Sequence, residues 1–475
     1  MQIDSTLNPS SLASALPRLF ELSTAKATQL EKVWDRSRGT PVFTVRGKYT
    51  TRGWTEWTEG FLYGIPLLTF DVTGETRMLN IGRAKTAAFM AAHVTHHGVH
   101  DHGFNNLSTY GNLRRLMREG RIEHNPWELA FYELAIKSSA CAQAVRWSKT
   151  AESSGYIYSF NGPHSLFIDT MRTLRILGIS AQLGHVLQAE NDVRISLLGR
   201  VLAHGTTTAR YSIYYGEGRD YYDTSALAGR TAHEAIFNTN DGRFRCPGSQ
   251  QGYGPFSTWT RGLAWAILGF AEQLEFLREI RTDQRLEHES AEVVNAIPVF
   301  EKAAMATAEF YISQAAAADG ICYWDTGAPG MVHLADFKSR AADPFNDYEP
   351  VDASASAIAA QGLLRLGEYL SSVVGKSAAA ARFSHAGLTI ARTLLSDAYL
   401  ATAPEHEGLL MHSVYHRPNG WDHIPAGRKV PCGESSLWGD YHLVELGLYL
   451  HRLISGGPYY QFFDAPVKAP VKTGA

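Results

Sequence analysis

The chain has 475 residues, 45% of them hydrophobic and 19% charged, with a formal net charge of −3 at pH 7. That balance belongs to a globular protein, and it gives bulk electrostatics no reason to favour a nucleic acid or an anionic membrane surface. No stretch approaches the roughly 18 consecutive apolar residues of a membrane span, and the N-terminus lacks the basic start and apolar run of a secretory signal, so the sequence predicts a soluble, cytoplasmic protein.

Apolar residues recur at helical spacing over 11–36, 57–71, 75–95, 105–120, 126–147, 165–183, 185–204, 258–281, 288–316, 353–372, 375–398 and 434–454, which predicts about a dozen helices. The segment 261–280 is nearly all apolar at its start, so it belongs inside a helical assembly. Between helices lie long connections rich in Gly, Pro and aromatic residues, at 205–257, 317–352 and 399–433. Loops of this length tend to be functional, and one of them includes the β-like run Tyr211–Tyr215. No linker or repeat divides the chain. The sequence therefore predicts one unit over 1–463 and a loose tail over 464–475, where Pro and small residues alternate without apolar periodicity. A dozen helices without a repeat suggest an all-α fold: six hairpins closed into an (α/α)6 barrel, with long loops and minor β segments forming a pocket at one end. An α-solenoid would show a repeat period.

Four cysteines, Cys141, Cys246, Cys322 and Cys432, form no CxxC pair and read as reduced thiols. Asn106-Leu107-Ser108 matches a glycosylation acceptor, which matters little without secretion. The run His93, His96, His97, His100, His102 places two imidazoles at i,i+4, but it lacks the HExxH spacing and a carboxylate at a recognised offset, so a metal site is a minor reading.

Four segments carry candidate chemistry. In His100-Asp101-His102-Gly103-Phe104, Asp101 either caps the following helix or acts as an acid between two imidazoles, and Gly103 permits an unusual backbone. Asp169 follows the apolar Leu166-Phe167-Ile168 on a predicted core helix. A buried carboxyl there is either a structural hydrogen-bond partner or a proton donor whose pKa burial raises. Arg261 and Trp265, one helical turn apart in Ser257–Trp265, form either a packed core pair or a platform on which an acidic sugar binds and stacks. In Glu434–Tyr441, Glu434 and Ser435 read as capping residues, and Trp438, Asp440 and Tyr441 either line a pocket or lock the last helix.

Taken together, HDHGF at 100–104, GYIYSFN at 155–161 leading to Asp169, STWTRGLAW at 257–265, YWD at 323–325, SASAIAA at 354–360 and ESSLWGDY at 434–441 resemble glycoside hydrolase family 88, the unsaturated glucuronyl hydrolases. They occur in the family's order over roughly 55–445. The resemblance implies an (α/α)6 barrel that needs no cofactor or metal. It also implies release of a Δ4,5-unsaturated uronic acid from the non-reducing end of lyase-generated oligosaccharides, by hydration of the C4=C5 vinyl ether. Asp169 would match the proton donor and water activator, and Asp101 the second essential acid. His100, His233, Gln251, Arg261, Trp265, Trp57, Phe160 and Tyr415 would contact substrate. Phe160 stands where the family has Trp, Leu263 where it has Gln, and Arg245-Cys246-Pro247 and 416–433 look like subfamily features. The expected partner is such an oligosaccharide, with no nucleic acid or membrane, and the chain is expected to act as a monomer or homodimer. Rival readings are a glycosidase acting on a saturated glucuronide, a glycan-binding protein without turnover, and a metal-dependent hydrolase using the His run.

Overall fold

The computed structural model describes residues 1–53, 56–152, 154–372 and 377–466. Among them, helices alternate between an outer and an inner ring. The outer helices are α1 (Leu16–Val33), α3 (Thr76–Phe89), α5 (Pro126–Ala144), α7 (Leu197–Tyr211), α9 (Ser290–Phe310) and α11 (Ser377–Leu394). The inner ones are α2 (Glu59–Thr73), α4 over 102–118, α6 over 170–182, α8 (Thr260–Ile280), α10 (Ala353–Ser371) and α12 (Leu437–Ser455). Helix α4 is continuous through a π turn at Leu107–Gly111, and α6 joins Thr170–Thr173 to Arg175–Gln182. Each inner helix packs on the next, and α12 returns to α2, closing an (α/α)6 barrel.

Burial follows the ring. Helix α8 is buried along almost its whole length, whereas α3 buries only Met78, Gly82 and Thr86. A helix apolar on all sides has to be surrounded, and one with a single apolar stripe needs only one neighbour. Ring closure joins the chain ends. Strand β1 (Phe43–Val45) pairs with β2 (Lys48–Thr50), and its Thr44 N–H donates to the carbonyl of Ser435 at 2.9 Å. Glu434 accepts from the Thr44 hydroxyl at 2.6 Å and the Arg46 N–H at 2.7 Å, so it braces this hairpin, and Ser436 is the residue that caps α12. Asp440 accepts from Tyr49 at 2.6 Å.

The barrel interior also holds fully buried charges. Arg172 on α6 contacts Glu272 on α8 at 2.8 Å and donates to Glu445 on α12 at 2.9 Å. Arg175 contacts Glu272 at 3.1 Å, and Arg365 on α10 contacts Glu275 at 2.7 Å. Four of the six inner helices are thereby tied to one another through ions.

The β segments sit in the connections. Strand β3 (Trp147–Lys149) pairs with β4 (Gly155–Ile157). Strands β5 (Ser165–Phe167), β8 (Glu234–Phe237) and β9 (Phe244–Gly248) form a three-stranded antiparallel sheet, and β6 (Val186–Gln188) pairs with β7 (Arg194–Ser196). Two predicted helices are corrected by them. The apolar run at 165–168 is a strand end followed by a turn, and most of 185–204 is the β6–β7 hairpin, with α7 beginning only at Leu197 and running through the predicted strand residue Tyr211. Fully buried β runs and helix interiors look alike in periodicity. Asp464, the expected start of the tail, is tied down: its carboxylate accepts from Arg114 at 2.8 Å and its N–H donates to Gln182 at 2.7 Å. Residues 467–475 of that tail lie outside the described residues.

Gly103 is not among the residues of positive φ, so the unusual backbone expected there is absent. Its reason is proximity: a Cβ on Gly103 would stand 2.1 Å from the carbonyl oxygen of Thr173, where α4 rests directly on α6. Gly103→Ala is expected to cost about 1–3 kcal/mol by overpacking. By pushing the two acids apart it should also lower kcat/KM by about 10²-fold, to be read by thermal denaturation and turnover.

Candidate active site

At the loop end of the barrel lies a pocket of about 190 Å³. Of the residues singled out from the sequence, Trp57, His100, Asp101, Phe160, Asp169, Gln251, Arg261 and Trp265 line it. They come from five places in the fold, with Trp57 just before α2 and Phe160 between β4 and β5. Asp101 immediately precedes α4, Asp169 immediately precedes α6, and Gln251, Arg261 and Trp265 belong to the entry into α8.

Asp101 and Asp169 both occupy N-cap positions, yet neither side chain makes a capping hydrogen bond. The capping reading of Asp101 is thus overturned, and Asp169 leads a helix where the sequence placed it within one. Both are buried, 8% and 7% exposed, and the imidazole of His100 stands between them. His100 Nε2 is 3.1 Å from Asp169 Oδ1 and 3.8 Å from Asp101 Oδ1. Phe167 packs edge-on to His100 at 5.5 Å, and Phe160 stacks over it at 6.1 Å while remaining 48% exposed.

The charges of this trio are interdependent. Burial and the neighbouring Asp169 charge push Asp101 above the usual carboxylate range, against the pull of His100. Burial also raises Asp169, but its hydrogen bond to His100 and the positive charges of His100 and Arg261 outweigh that and bring it below the usual range. Burial would lower His100, and the two carboxylates reverse this and raise it. The expectation that burial raises the pKa of Asp169 is therefore reversed, and of the two acids it is Asp101 that is pushed up. Both shifts favour a proton held on His100 in its hydrogen bond to Asp169, because an ion pair in a dry site holds its charges better than either carboxylate alone. Asp101→Asn removes the carboxylate charge that does most to raise His100, so its imidazole should lose its proton at a lower pH. The alkaline limb of the pH–rate profile is expected to move towards acid, and a limb that stays in place would contradict this arrangement.

Arg261 is fully buried and already engaged. It donates to Asp352 at 2.8 Å, to the carbonyls of Val414 at 2.6 Å and Tyr415 at 2.8 Å, and to Gln251 Oε1 at 3.1 Å. Its main structural work is to clamp the 412–416 segment and Gln251 onto α8. Trp265 packs at 4.8 Å on Phe104 and 4.9 Å on His442, and Trp57 stacks at 5.1 Å on Trp438. The platform imagined from Arg261 and Trp265 is thus a buried wall.

His233 and Tyr415 stand one layer behind the lining. His233 Nδ1 accepts the N–H groups of Gln250 at 2.9 Å and Gln251 at 3.3 Å, and Ile168 donates to its carbonyl at 3.0 Å. His233 therefore joins the Asp169 turn to the Gln251 loop. Burial keeps it neutral, with a pKa of about 4. Tyr415 packs between Phe43, Trp421 and Trp438. Sequence reasoning missed Glu56, Val99, Phe104 and Trp259 among the lining residues. Phe104 and Trp259 lay inside quoted motifs, but Glu56 had no signal. Burial lifts the Glu56 pKa to about 7. The His run is absorbed by packing: His93 contacts Glu59 at 2.7 Å, and His102 contacts the Ser139 hydroxyl at 2.7 Å. A second, apolar cavity of about 100 Å³ between α1, α2 and α3 holds none of this constellation.

No protein-family model matches the chain. Curated proteins do. The unsaturated glucuronyl hydrolase of Bacillus sp. (strain GL1) is 25% identical over 419 residues, spanning 86% of this chain and 90% of that protein. The unsaturated chondroitin disaccharide hydrolase of Streptococcus pyogenes serotype M1 is 23% identical over 411 residues, spanning 86% and 83%. Among solved structures, an unsaturated glucuronyl hydrolase specific for heparin has a TM-score of 0.68 at 19% identity, covering 93% of this chain and 98% of that one. The Bacillus sp. GL1 enzyme has a TM-score of 0.64 at 22% identity, covering 92% and 95%. These likenesses extend over nearly the whole barrel.

Proposed function

We infer that this chain is an unsaturated glucuronyl hydrolase, a glycoside hydrolase acting on oligosaccharides that end in a Δ4,5-unsaturated uronic acid. The observation that carries the reading is His100 Nε2 held between two buried acids, 3.1 Å from Asp169 and 3.8 Å from Asp101, in the wall of the pocket. Residues 1–463 form the catalytic unit, acting in the cytoplasm as a monomer or homodimer, with an oligosaccharide and neither nucleic acid nor membrane as partner.

The reaction needs a proton on C4 and a water oxygen on C5 of an enol ether. When substrate displaces water from the pocket, the His100–Asp169 ion pair loses its solvation. The proton then passes along the hydrogen bond to Asp169, which delivers it to C4. Positive charge develops at C5 and the ring oxygen, and the ionised Asp101 across His100 stabilises it. Asp169, now a carboxylate, takes a proton from water as the water oxygen bonds to C5. The hemiketal opens and the glycosidic link is lost. One water is consumed, and the proton that Asp169 takes from it returns along the hydrogen bond to His100, which restores the starting pair. His233 and Arg261 act by holding the Gln251 loop against the uronic acid, and Trp57, Phe160 and Trp265 supply its apolar walls.

The test is the ultraviolet absorbance of the conjugated alkene in a panel of unsaturated disaccharides made by lyases from chondroitin, heparin, hyaluronan, gellan and pectin. Decay of the band with any of them is the expected result, and the fastest decay identifies the glycan. A folded protein that leaves every band unchanged overturns the reading.

A further inference from the structure

We propose that the outer face of the loop walling the pocket is a second saccharide-binding surface, which takes sugar units beyond the one attached to the uronic acid; this rests on the reading above. The nine residues 251–259 have two faces. Gln251 and Trp259 line the pocket, whereas Tyr253 and Phe256 are not part of its lining and are 55% and 45% exposed. Phe256 is stacked on Tyr222 at 3.8 Å between centroids and 20° between planes, and Tyr222 itself remains 43% exposed. Tyr221, 90% exposed, stands edge-on to Tyr222 at 5.6 Å. The result is a slab of aromatic rings that is half open to solvent.

Exposed aromatic groups gathered in one place mark binding surfaces far more often than isolated ones do. This slab is also preorganised. The Asp223 carboxylate accepts the N–H groups of Gly216 at 2.7 Å, Glu217 at 3.2 Å and Arg219 at 2.9 Å, which fixes the loop carrying Tyr221 and Tyr222. Asp325 accepts the Tyr253 N–H at 2.8 Å, and the Ser257 hydroxyl accepts the Gly254 N–H at 3.2 Å, which fixes the other loop. Rings held on braced loops bind without an ordering cost.

The occupant follows from continuity with the pocket. Tyr253 is two residues from Gln251, and Phe256 three from Trp259, so their Cα atoms lie within about 7 and about 10 Å of lining residues. The acids that would act on the terminal uronic acid lie inside the pocket, so the distal units of a longer chain emerge at its mouth, on the side where this loop forms the wall. Sugar C–H faces stack on aromatic rings with little regard to ring substitution, so the surface selects for chain length more than for sugar identity.

The experiment compares an unsaturated disaccharide with an unsaturated tetrasaccharide of the same glycan, using the full chain and the Tyr222→Ala/Phe256→Ala variant. The wild type is expected to show a KM about five- to tenfold lower for the tetrasaccharide. The variant should lose that advantage and keep wild-type constants on the disaccharide. Tyr221→Ser, at the most exposed ring, should lose part of the advantage and covers the case in which the double variant does not fold. Equal KM values for the two lengths in the wild type would overturn the proposal without any variant. So would a variant that converts a dimer to a monomer with the length preference intact, because the slab would then belong to a second copy of the chain. Failure of the disaccharide to turn over at all would instead count against the function inferred above.

Discussion

Asp169→Asn is expected to lower kcat by at least about 10²–10⁴-fold, the usual worth of a positioned acid–base group, with the fold unchanged. The substitution is nearly isosteric, and the Asn carbonyl can still accept from His100, so the buried turn before α6 keeps its hydrogen bond at 3.1 Å. What is lost is a group that accepts the His100 proton and passes it on, and later takes one from water. KM should change little, because Phe160, Trp57 and Gln251 still line the pocket. Alkene absorbance measures the rate, and circular dichroism with thermal denaturation checks the fold. A variant within tenfold of wild type would remove Asp169 from the proton path.

Arg172→Leu carries the largest expected cost in stability. Arg172 is fully buried and sits between Glu272 on α8 and Glu445 on α12. Burial by itself would raise the Glu445 pKa, but Arg172 and His442 bring it below the usual range. Removing the guanidinium leaves Glu445 a buried carboxyl without its main counter-charge, a situation that costs about 3–5 kcal/mol. Thermal denaturation should show a drop of several degrees, and a melting temperature equal to wild type would mean that the network contributes nothing. The companion change Arg172→Leu/Glu445→Leu should recover much of the loss, because two apolar side chains leave no unpaired charge on that side of the network.

The ring architecture was legible because it rests on long amphipathic and apolar helices, whose period survives in sequence. The turn holding Asp169 was not. Leu166-Phe167-Ile168 is apolar whether it ends a strand or starts a helix, and the choice is made by pairing with Glu234–Phe237, some 70 residues away. The same limit hid the β6–β7 hairpin within a predicted helix. Eight of the ten site residues named from sequence do line the pocket: His100, Asp101, Phe160, Asp169, Arg261 and Trp265 were carried by the quoted motifs, and Trp57 and Gln251 by the wider resemblance alone. Arg261 shows what a motif leaves out: its partners Asp352, Val414 and Tyr415 come from segments with no sequence sign of contact. The direction in which the two acids shift also depends on which of them His100 approaches more closely, and no local pattern encodes that distance.

The closure of the ring has a consequence for how the protein comes into being. Strand β1 makes its second partnership with Ser435 and Ser436, about 390 positions later, and Arg261 is clamped by carbonyls at 414 and 415. Contacts so distant in sequence form late, after the intervening chain has been ordered. During synthesis the first eleven helices can assemble only as an open crescent, with the edge of β1 and the apolar flank of α2 uncovered, and such surfaces invite aggregation. A ribosome that stops before α12 thus releases a chain that contains every acid of the pocket but lacks Trp438 and His442, on which Trp57 and Trp265 pack. The wall of the pocket is complete only when the final helix is in place.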